Sequence, residues 1–153
     1  GVFLGYMGQP ELTLDMRTSD GWFETGDIGH ETEDGGIRIS GRSKDIIIRG
    51  GQNVPVVETE NELMKMPQVK EAVVIAVPDE RLGEKGCAVI VAQRVAPSLD
   101  DMKAHLERAG MAKQFWPEYL VVVDELPRTP SGKVKKFVLR KQFACLGQPA
   151  VAA

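Results

Sequence analysis

The sequence predicts an α+β protein in which a small mixed sheet packs with about three helices and is preceded by a β-hairpin arm. Three observations lead to this prediction: three apolar runs of strand length, a helix pattern with a clear start signal, and an alternating segment with a central turn. The chain has 153 residues, enough for one ordinary domain with its own core and an appendage.

The strands are predicted from continuous apolar sequence. Residues 72–78, 87–92 and 120–123 are such runs, typical of strands that are covered on both faces. Earlier in the chain, residues 22–30 and 36–40 alternate between apolar and polar, and the Glu-Asp-Gly-Gly segment between them predicts a hairpin turn.

The helices are predicted from start signals and spacing. Residues 98–101 (SLDD) resemble a capping box with Asp in place of Glu, and apolar residues follow at three- and four-residue spacing. Two further helices are predicted over residues 56–65 and 134–143. With helices packed on the sheet, residues 45–143 are expected to form a two-layer domain.

Composition narrows the function classes. The net charge is −3, from 19 basic and 22 acidic residues that are interspersed, so we expect no nucleic-acid partner. No apolar run approaches membrane-spanning length, so we expect no membrane span. Cys87 and Cys145 lack the spacing of metal ligands, which predicts reduced thiols, a cytoplasmic protein and no metal site. His30 and His105 have no partners at a catalytic spacing.

The most informative segment is residues 126–136 (LPRTPSGKVKK). Its two prolines restrict φ, and Gly132 frees the backbone immediately before Lys133, so the loop is shaped to present one charge at its tip. Such a lysine usually meets a phosphate or a carboxylate. A solvated turn before an amphipathic helix is the alternative interpretation of these residues alone.

Two more segments accompany this loop and together indicate a family. Residues 21–29 (GWFETGDIG), 41–54 (GRSKDIIIRGGQNV) and 126–136, in this order and spacing, resemble the C-terminal part of the acyl-adenylate-forming enzymes. That superfamily holds acyl-CoA synthetases, peptide-synthetase adenylation domains and beetle luciferases. Within it, residues 78–84 (PDERLGE) and 131–136 (SGKVKK) are most similar to medium-chain fatty-acid and cyclohexanecarboxylate-type CoA ligases.

The resemblance implies a reaction in two halves. A carboxylate first attacks the α-phosphate of ATP to give an acyl-adenylate and pyrophosphate, and the thiol of CoA then displaces AMP. Lys133 resembles the lysine that bridges the attacking carboxylate and the phosphate, where a preorganised positive charge stabilises the transition state. Asp27 resembles the aspartate that accepts both ribose hydroxyls, although it could also fix the turn at Thr25 and Gly26. Arg42 suits ribose or phosphate oxygens beside that aspartate.

Other positions are implied to serve movement and CoA. Lys44 aligns with the family's hinge, about which the small domain rotates to present a different face in each half-reaction. Gly51, preceded by Gly50, resembles the glycine that lets the pantetheine arm of CoA pass closely, although a plain hairpin turn also explains both residues. Their spacing fits neither GxGxxG nor GxxxxGK phosphate loops. Glu58 and Glu60 are expected to stabilise the start of a helix rather than to act as catalysts.

The resemblance also implies an organisation. Residues 1–43 correspond to the C-terminal strip of the large adenylation domain, 44–143 to the mobile lid domain and 144–153 to a flexible tail. We expect the chain to be a piece of a longer enzyme, inactive alone, whose ATP, Mg²⁺ and CoA are not bound to this piece. Its expected partner is the missing N-terminal adenylation domain. In isolation we expect homo-oligomers or an exchanged arm, because apolar residues of the hairpin would lose their cover.

Two alternatives are kept open. The chain could be a standalone interaction or regulatory module derived from this lid, or it could belong to an adenylation enzyme with an acceptor other than CoA. The identity of the acid cannot be derived, because the residues that select it are expected upstream of Gly1.

Overall fold

The computed structural model describes residues 4–54 and 56–147, without the side chains of Ser40 and Lys44. The chain divides into two compact units, Gly1–Lys44 and Asp45–Ala153. Pro55, which precedes a predicted helix, and residues 148–153 of the predicted tail lie outside the described residues.

The first unit is built on a β-hairpin. Strands β1 (Asp27–Glu31) and β2 (Ile37–Arg42) pair antiparallel. The turn between them is closed by the N–H of Gly35, which donates to the carbonyl of Thr32 at 2.8 Å, and Gly35 has a φ of +78°. The predicted hairpin is confirmed, but its first strand begins at Asp27 rather than at residue 22.

A short helix that the sequence patterns do not predict precedes this hairpin. Helix α1 (Pro10–Asp15) has only six residues, and no side chain caps its start at Gln9. So short a helix provides less than two turns of apolar periodicity. Proline fits its first turn, where the missing N–H would have no helical partner anyway.

Large apolar side chains of the first unit are exposed. The exposed fractions are 95% for Leu4, 73% for Trp22, 79% for Ile37 and 58% for Ile39. Phe23 and Ile28 are half-buried.

The second unit contains a five-stranded mixed sheet. Its strands are β3 (Ile47–Arg49), β4 (Gln52–Val54), β5 (Val69–Asp79), β6 (Gly83–Ala92) and β7 (Tyr119–Val123). Strand β6 is central, and it pairs antiparallel with β5 along its whole length. The other edge of β6 pairs antiparallel with β3 at Gly83 and parallel with β7 from Cys87 onward. The three predicted strands are confirmed, and β5 and β6 extend beyond the apolar runs.

Helices cover both faces of this sheet. Helices α2 (Val56–Leu63) and α3 (Leu99–Arg108) enclose one core cluster with Val74, Ala88 and Ile90. Helix α4 (Lys136–Gln142) places Leu139 in a second cluster with Val73, Ile75 and the other strand residues of the opposite face. The mixed sheet with three helices is confirmed. The predicted two-layer arrangement is wrong, because strand residues alternate between two buried faces and each face needs its own cover.

The ends of α4 differ from the prediction. Val134 bridges to Arg128, and the N–H of Lys135 donates to the carbonyl of Pro127 at 2.7 Å, so the backbone is still extended there and the helix begins only at Lys136. After the helix, Ala144–Gly147 form a 3-10 turn in which Leu146 packs on the second core cluster. The predicted flexible tail is therefore wrong for these four residues.

An aromatic segment and one of the two cysteines contribute to the core. The segment Phe115, Trp116 and Pro117 is part of the core: the first two pack on the first cluster and Pro117 is fully buried. Cys87 is buried, Cys145 is exposed, and both are free thiols. Among the described residues, no helix has the length and apolar character that crossing a bilayer requires.

Candidate functional site

Asp27 and Arg42 lie opposite each other at one end of the hairpin of the first unit. They are cross-strand partners in the β1–β2 ladder, and Nε of Arg42 donates to Oδ1 of Asp27 at 2.9 Å. The side chain of Arg42 is 61% exposed and that of Asp27 30% exposed. An ion pair this exposed contributes little to stability, so ligand hydroxyls can compete for its charged atoms at low cost.

The backbone around Asp27 is fixed by short-range hydrogen bonds. Its N–H donates to Oγ1 of Thr25 at 3.1 Å, and both the N–H and the hydroxyl of Ser43 donate to the carbonyl of Gly26, at 2.8 and 3.2 Å. The carboxylate itself is not used in this turn, which leaves it for Arg42 and for a ligand. Asp27 also lines an open cleft of about 480 Å³ together with His30 and Glu31.

Lys44 lies in a 3-10 turn, Ser43–Asp45. The division between the two compact units falls immediately after it. A backbone rotation confined to a few residues at such a boundary moves neither unit internally, which is what a hinge requires.

Gly50 and Gly51 form the two-residue turn between β3 and β4. Their φ angles are +57° and +81°, the pair of positive values that a type I′ hairpin turn needs. A Cβ at Gly51 would meet nothing within 4 Å, so the space beside it is open. The hairpin-turn interpretation is therefore correct as geometry, and the open space leaves room for a ligand to approach the backbone.

Neighbouring strands hold this glycine hairpin in place. The N–H of Gly50 donates to the carbonyl of Leu82 at 2.7 Å, and the N–H of Ile48 donates to the carboxylate of Glu84 at 2.7 Å. At the base of the β5–β6 turn, Lys85 and Asp79 pair at 2.6 Å, and this hydrogen bond lowers the pKa of Asp79 and raises the pKa of Lys85.

A second carboxylate, that of Glu118 immediately before β7, anchors the same hairpin. Oε1 of Glu118 accepts Nε of Arg49 at 2.6 Å, and Oε2 accepts the N–H of Gly86 at 2.9 Å. Because Arg49 directly precedes the glycines, Glu118 ties the hairpin to the central strand. Sequence reasoning missed this residue, since Glu118 lies 69 positions from Arg49.

The turn that carries Lys133 is also tightly hydrogen-bonded. The N–H of Thr129 donates to the carbonyl of Lys133 at 2.8 Å, and the N–H of Gly132 donates back to the carbonyl of Thr129 at 2.9 Å. Oγ1 of Thr129 accepts the N–H of Lys133 at 3.1 Å. Gly132 has a φ of +84°, which favours glycine over any residue with a side chain.

Lys133 itself is exposed, and within the described part of the chain it forms no ion pair. A lysine locked in a salt bridge inside the domain would have contradicted the predicted role. A fixed backbone with an unpaired ammonium at its tip can instead deliver one positive charge to a ligand.

Glu60 has a different place from the one predicted. Its Oε1 accepts the N–H of Val74 and Nζ of Lys136, both at 2.7 Å, in a half-buried position between α2, β5 and α4. It is therefore a structural link rather than a partner of the helix start. Glu58 lies in the first turn of α2, the position that its predicted role at the helix start requires, and it is exposed.

His105 is also structural. Its Nε2 lies 3.0 Å from the carbonyl of Glu62 and 3.1 Å from Oε1 of the same residue, at the end of α2. The pKa of Glu62 is lowered, chiefly by its hydrogen bond from Lys65. Among the described residues, no group of three or more His, Cys, Asp or Glu could hold a metal ion.

The second unit thus combines a small mixed sheet, a glycine hairpin between two of its strands, and an exposed lysine on a glycine-shaped turn. Residues 58–133 match the family described as AMP-binding enzyme C-terminal domain, and the chain belongs to that family.

Two curated relatives are CoA ligases. The chain is 46% identical over 144 residues to a medium-chain fatty-acid–CoA ligase of Escherichia coli K12, and the match covers 93% of this chain and 25% of the relative. It is 40% identical over 154 residues to the 2-methylpropanoate–CoA ligase CCL4 of Humulus lupulus, covering 99% of this chain and 28% of that one. The chain thus spans about a quarter of the length of these relatives.

A solved structure of a related enzyme has the same fold as this chain. ATP-bound MatB from Rhodopseudomonas palustris superposes with a TM-score of 0.86 at 38% identity, over 96% of this chain and 29% of that chain. The predicted fold is confirmed, and the predicted family is confirmed at the level of an AMP-binding enzyme C-terminal domain that resembles part of larger CoA ligases.

Proposed function

We propose that this chain provides the lid of an ATP-dependent acid–CoA ligase, together with the hairpin that leads into it. The observation that carries the proposal is the fixed turn with the exposed, unpaired Lys133, in a chain that is 46% identical to a medium-chain fatty-acid–CoA ligase. The chain corresponds to only 25% of that relative, so we expect it to be catalytically silent without an adenylation domain.

Asp27 and Arg42 are proposed to bind the nucleotide. A carboxylate with two acceptor oxygens can take both hydroxyl protons of a ribose, and the guanidinium beside it can donate to ribose or phosphate oxygens. The exposed 2.9 Å ion pair supports this assignment, because it holds both side chains in a preset orientation without burying either charge.

Lys133 is proposed to stabilise the first half-reaction. A carboxylate oxygen of the acid forms a bond to the α-phosphorus of ATP while the bond to the pyrophosphate oxygen breaks. Negative charge is shared between the attacking carboxylate and the phosphate oxygens, and an ammonium placed between them offsets their repulsion. Mg²⁺ is expected for the whole enzyme, and no step is assigned to it.

Gly50 and Gly51 are proposed to line the path of CoA in the second half-reaction. The CoA sulfur bonds to the acyl carbon, AMP leaves, and the thiol proton passes to solvent. The open space beside Gly51 supports this role, because a side chain there would narrow the approach to the hairpin backbone. Lys44 is proposed as the hinge about which the second unit rotates between the two half-reactions. The division of the chain immediately after this residue supports that proposal.

The proposal extends to partners and compartment. The natural cover of the exposed Trp22, Ile37 and Ile39 is proposed to be the rest of the adenylation domain, and without it a second copy or an exchanged arm. The two free thiols favour a reducing compartment such as the cytoplasm.

A chimera tests the proposal. This chain replaces the corresponding segment of the Escherichia coli medium-chain fatty-acid–CoA ligase, and acid-dependent pyrophosphate release and thioester formation are measured. We expect both activities in the chimera and neither in the chain alone. A chimera that is folded and binds ATP but releases no pyrophosphate would contradict the proposed role.

Gly51→Leu in the chimera tests the CoA path. We expect slow thioester formation from a supplied acyl-adenylate and normal adenylation. Gly110→Leu is the matched control, because Gly110 has a similar φ of +73° and equally open space, after α3 in the same unit. If both variants slow the second half-reaction equally, backbone strain explains the effect and the CoA role is wrong.

A further inference from the structure

Arg128 contacts the Lys133 turn and the sheet at the same time. Its Nη1 donates to the carbonyl of Gly132 at 2.7 Å, and its Nη2 donates to Oε2 of Glu71. Arg128 also forms the isolated β-bridge with Val134 that closes the base of the turn. One guanidinium therefore joins the carbonyl immediately before Lys133 to a carboxylate that lies 57 positions away in the chain.

Glu71 is well placed to act as the fixed end of this link. It lies on β5 opposite Val91 of the central strand β6, and these two strands pair along their whole length. The side chain of Glu71 is 30% exposed and that of Arg128 is 43% exposed. The contact is thus at the surface, where an ion pair adds little to the stability of the domain.

We propose that Arg128 and Glu71 are positioning residues for Lys133: the guanidinium fork transfers the rigidity of β5 to the turn and sets the direction in which the ammonium leaves it. This inference rests on the proposed function of Lys133. The peptide between Gly132 and Lys133 contains the carbonyl that Arg128 holds, so a rotation of that peptide would redirect the lysine side chain.

The link requires arginine rather than lysine. A guanidinium is planar and donates in two separate directions at once, whereas an ammonium is a compact charge on a flexible stem. Lysine at position 128 could reach the Glu71 carboxylate or the Gly132 carbonyl, but it would not hold both in a fixed geometry. A displacement of about 1 Å in a reacting group can lower a rate about 100-fold.

The inference predicts a selective kinetic effect in the chimera. Arg128→Gln and Arg128→Lys are each expected to lower the turnover of adenylation by about 10-fold or more, with the KM for ATP changed less than about twofold. Thioester formation from a supplied acyl-adenylate is expected to be unchanged. A merely structural role would lower both half-reactions together.

Glu71 provides the second arm of the test. Glu71→Gln is expected to lower adenylation in the same way, and the double variant Glu71→Gln with Arg128→Gln to be no slower than Arg128→Gln alone, because both remove one link. Lys113→Gln is the matched control, since Lys113 pairs with Glu107 at 3.8 Å on an exposed surface elsewhere in the unit. We expect that control to keep both rates.

Lys133→Ala, measured beside these variants, separates the two proposals. If Lys133→Ala slows adenylation and Arg128→Gln behaves like Lys113→Gln, the positioning role is wrong and the proposed function stands. If Arg128→Gln slows both half-reactions equally, the positioning role is also wrong. If Lys133→Ala leaves adenylation unchanged, the proposed function fails and the inference fails with it.

Discussion

At the scale of single residues, Lys133 differs from a set of charges that belong to the scaffold. Several ion pairs join separate elements of the second unit: Arg49 with Glu118, Lys85 with Asp79, Lys136 with Glu60, and Arg140 with Asp45. Lys133 is exposed, and within the described residues it has no ion-pair partner. Its charge is therefore available to a ligand, whereas these pairs hold strands and helices together.

The two thiols are expected to differ sharply in reactivity. Burial raises the pKa of the Cys87 thiol to about 12, so it stays protonated at neutral pH, and only a thiolate is a good nucleophile. Cys145 is exposed. Reaction of the native chain with a thiol reagent at neutral pH should modify Cys145 alone, and unfolding should release Cys87. Equal rates for both thiols in the native chain would contradict the buried position of Cys87.

Glu60 gives a second prediction at this scale. Glu60→Ala removes the acceptor of two hydrogen bonds, one from the N–H of the buried Val74 and one from the half-buried Lys136. Charged hydrogen bonds of this kind contribute about 1.5–3 kcal/mol each, so the free energy of unfolding should fall by at least about 1.5 kcal/mol. Urea unfolding measures this free energy, and Glu58→Ala is the control at an exposed position. Equal stability of the two variants would show that the hydrogen bonds of Glu60 to Val74 and Lys136 do not stabilise the domain.

At the scale of elements, local signals could be predicted and distant contacts could not. Sequence patterns predicted the strands β5, β6 and β7 and the start of α3. An apolar run and a capping box are each formed by residues only a few positions apart in the chain. The strands β3 and β4 have three residues each, too few for a pattern. Lys133, Asp27 and Gly51 could be named from motifs, whereas Glu71 and Glu118 became visible only when the sheet brought them to their partners.

The capping box of α3 predicts a pH-dependent contribution to stability. The side chain of Asp101 accepts from the hydroxyl and the N–H of Ser98, and these bonds lower its pKa. Because the folded pKa lies below the unfolded one, the stabilisation is present above the unfolded pKa, near about 3.9, and is lost as the pH falls through the folded value.

Asp101→Asn tests this linkage. We expect the variant to be less stable than the parent chain at pH 7, and the difference to shrink as the pH falls below about 4. The measurement is urea unfolding at a series of pH values. A difference that is the same at pH 7 and at acid pH would show that ionisation of Asp101 does not stabilise the helix start.

At the scale of the whole molecule, exposed apolar surface is concentrated in the first unit. Ile37 and Ile39 are 79% and 58% exposed on strand β2, which within the described residues pairs only with β1. Apolar surface of this kind favours association, because burial gains about 25 cal/mol per Å². We therefore expect the isolated chain to be larger than a monomer in solution.

Light scattering after size-exclusion chromatography measures this expectation. Ile37→Lys combined with Ile39→Lys should produce monomers, because two charges would have to be buried in the contact. Val95→Lys is the control, since Val95 is 75% exposed in the second unit. A parent chain that is strictly monomeric, or a lysine pair that leaves the association unchanged, would contradict an interface on this hairpin.

Lys133 is proposed to serve the first half-reaction and not the second, and the rates of both half-reactions in the Lys133→Ala chimera test this role. We predict that acid-dependent pyrophosphate exchange falls by about 10²–10³-fold, while thioester formation from a supplied acyl-adenylate stays within about twofold of the parent rate. Lys141→Ala, an exposed lysine at the end of α4, should change neither rate. Unchanged pyrophosphate exchange, or an equal loss in both half-reactions, would contradict the account.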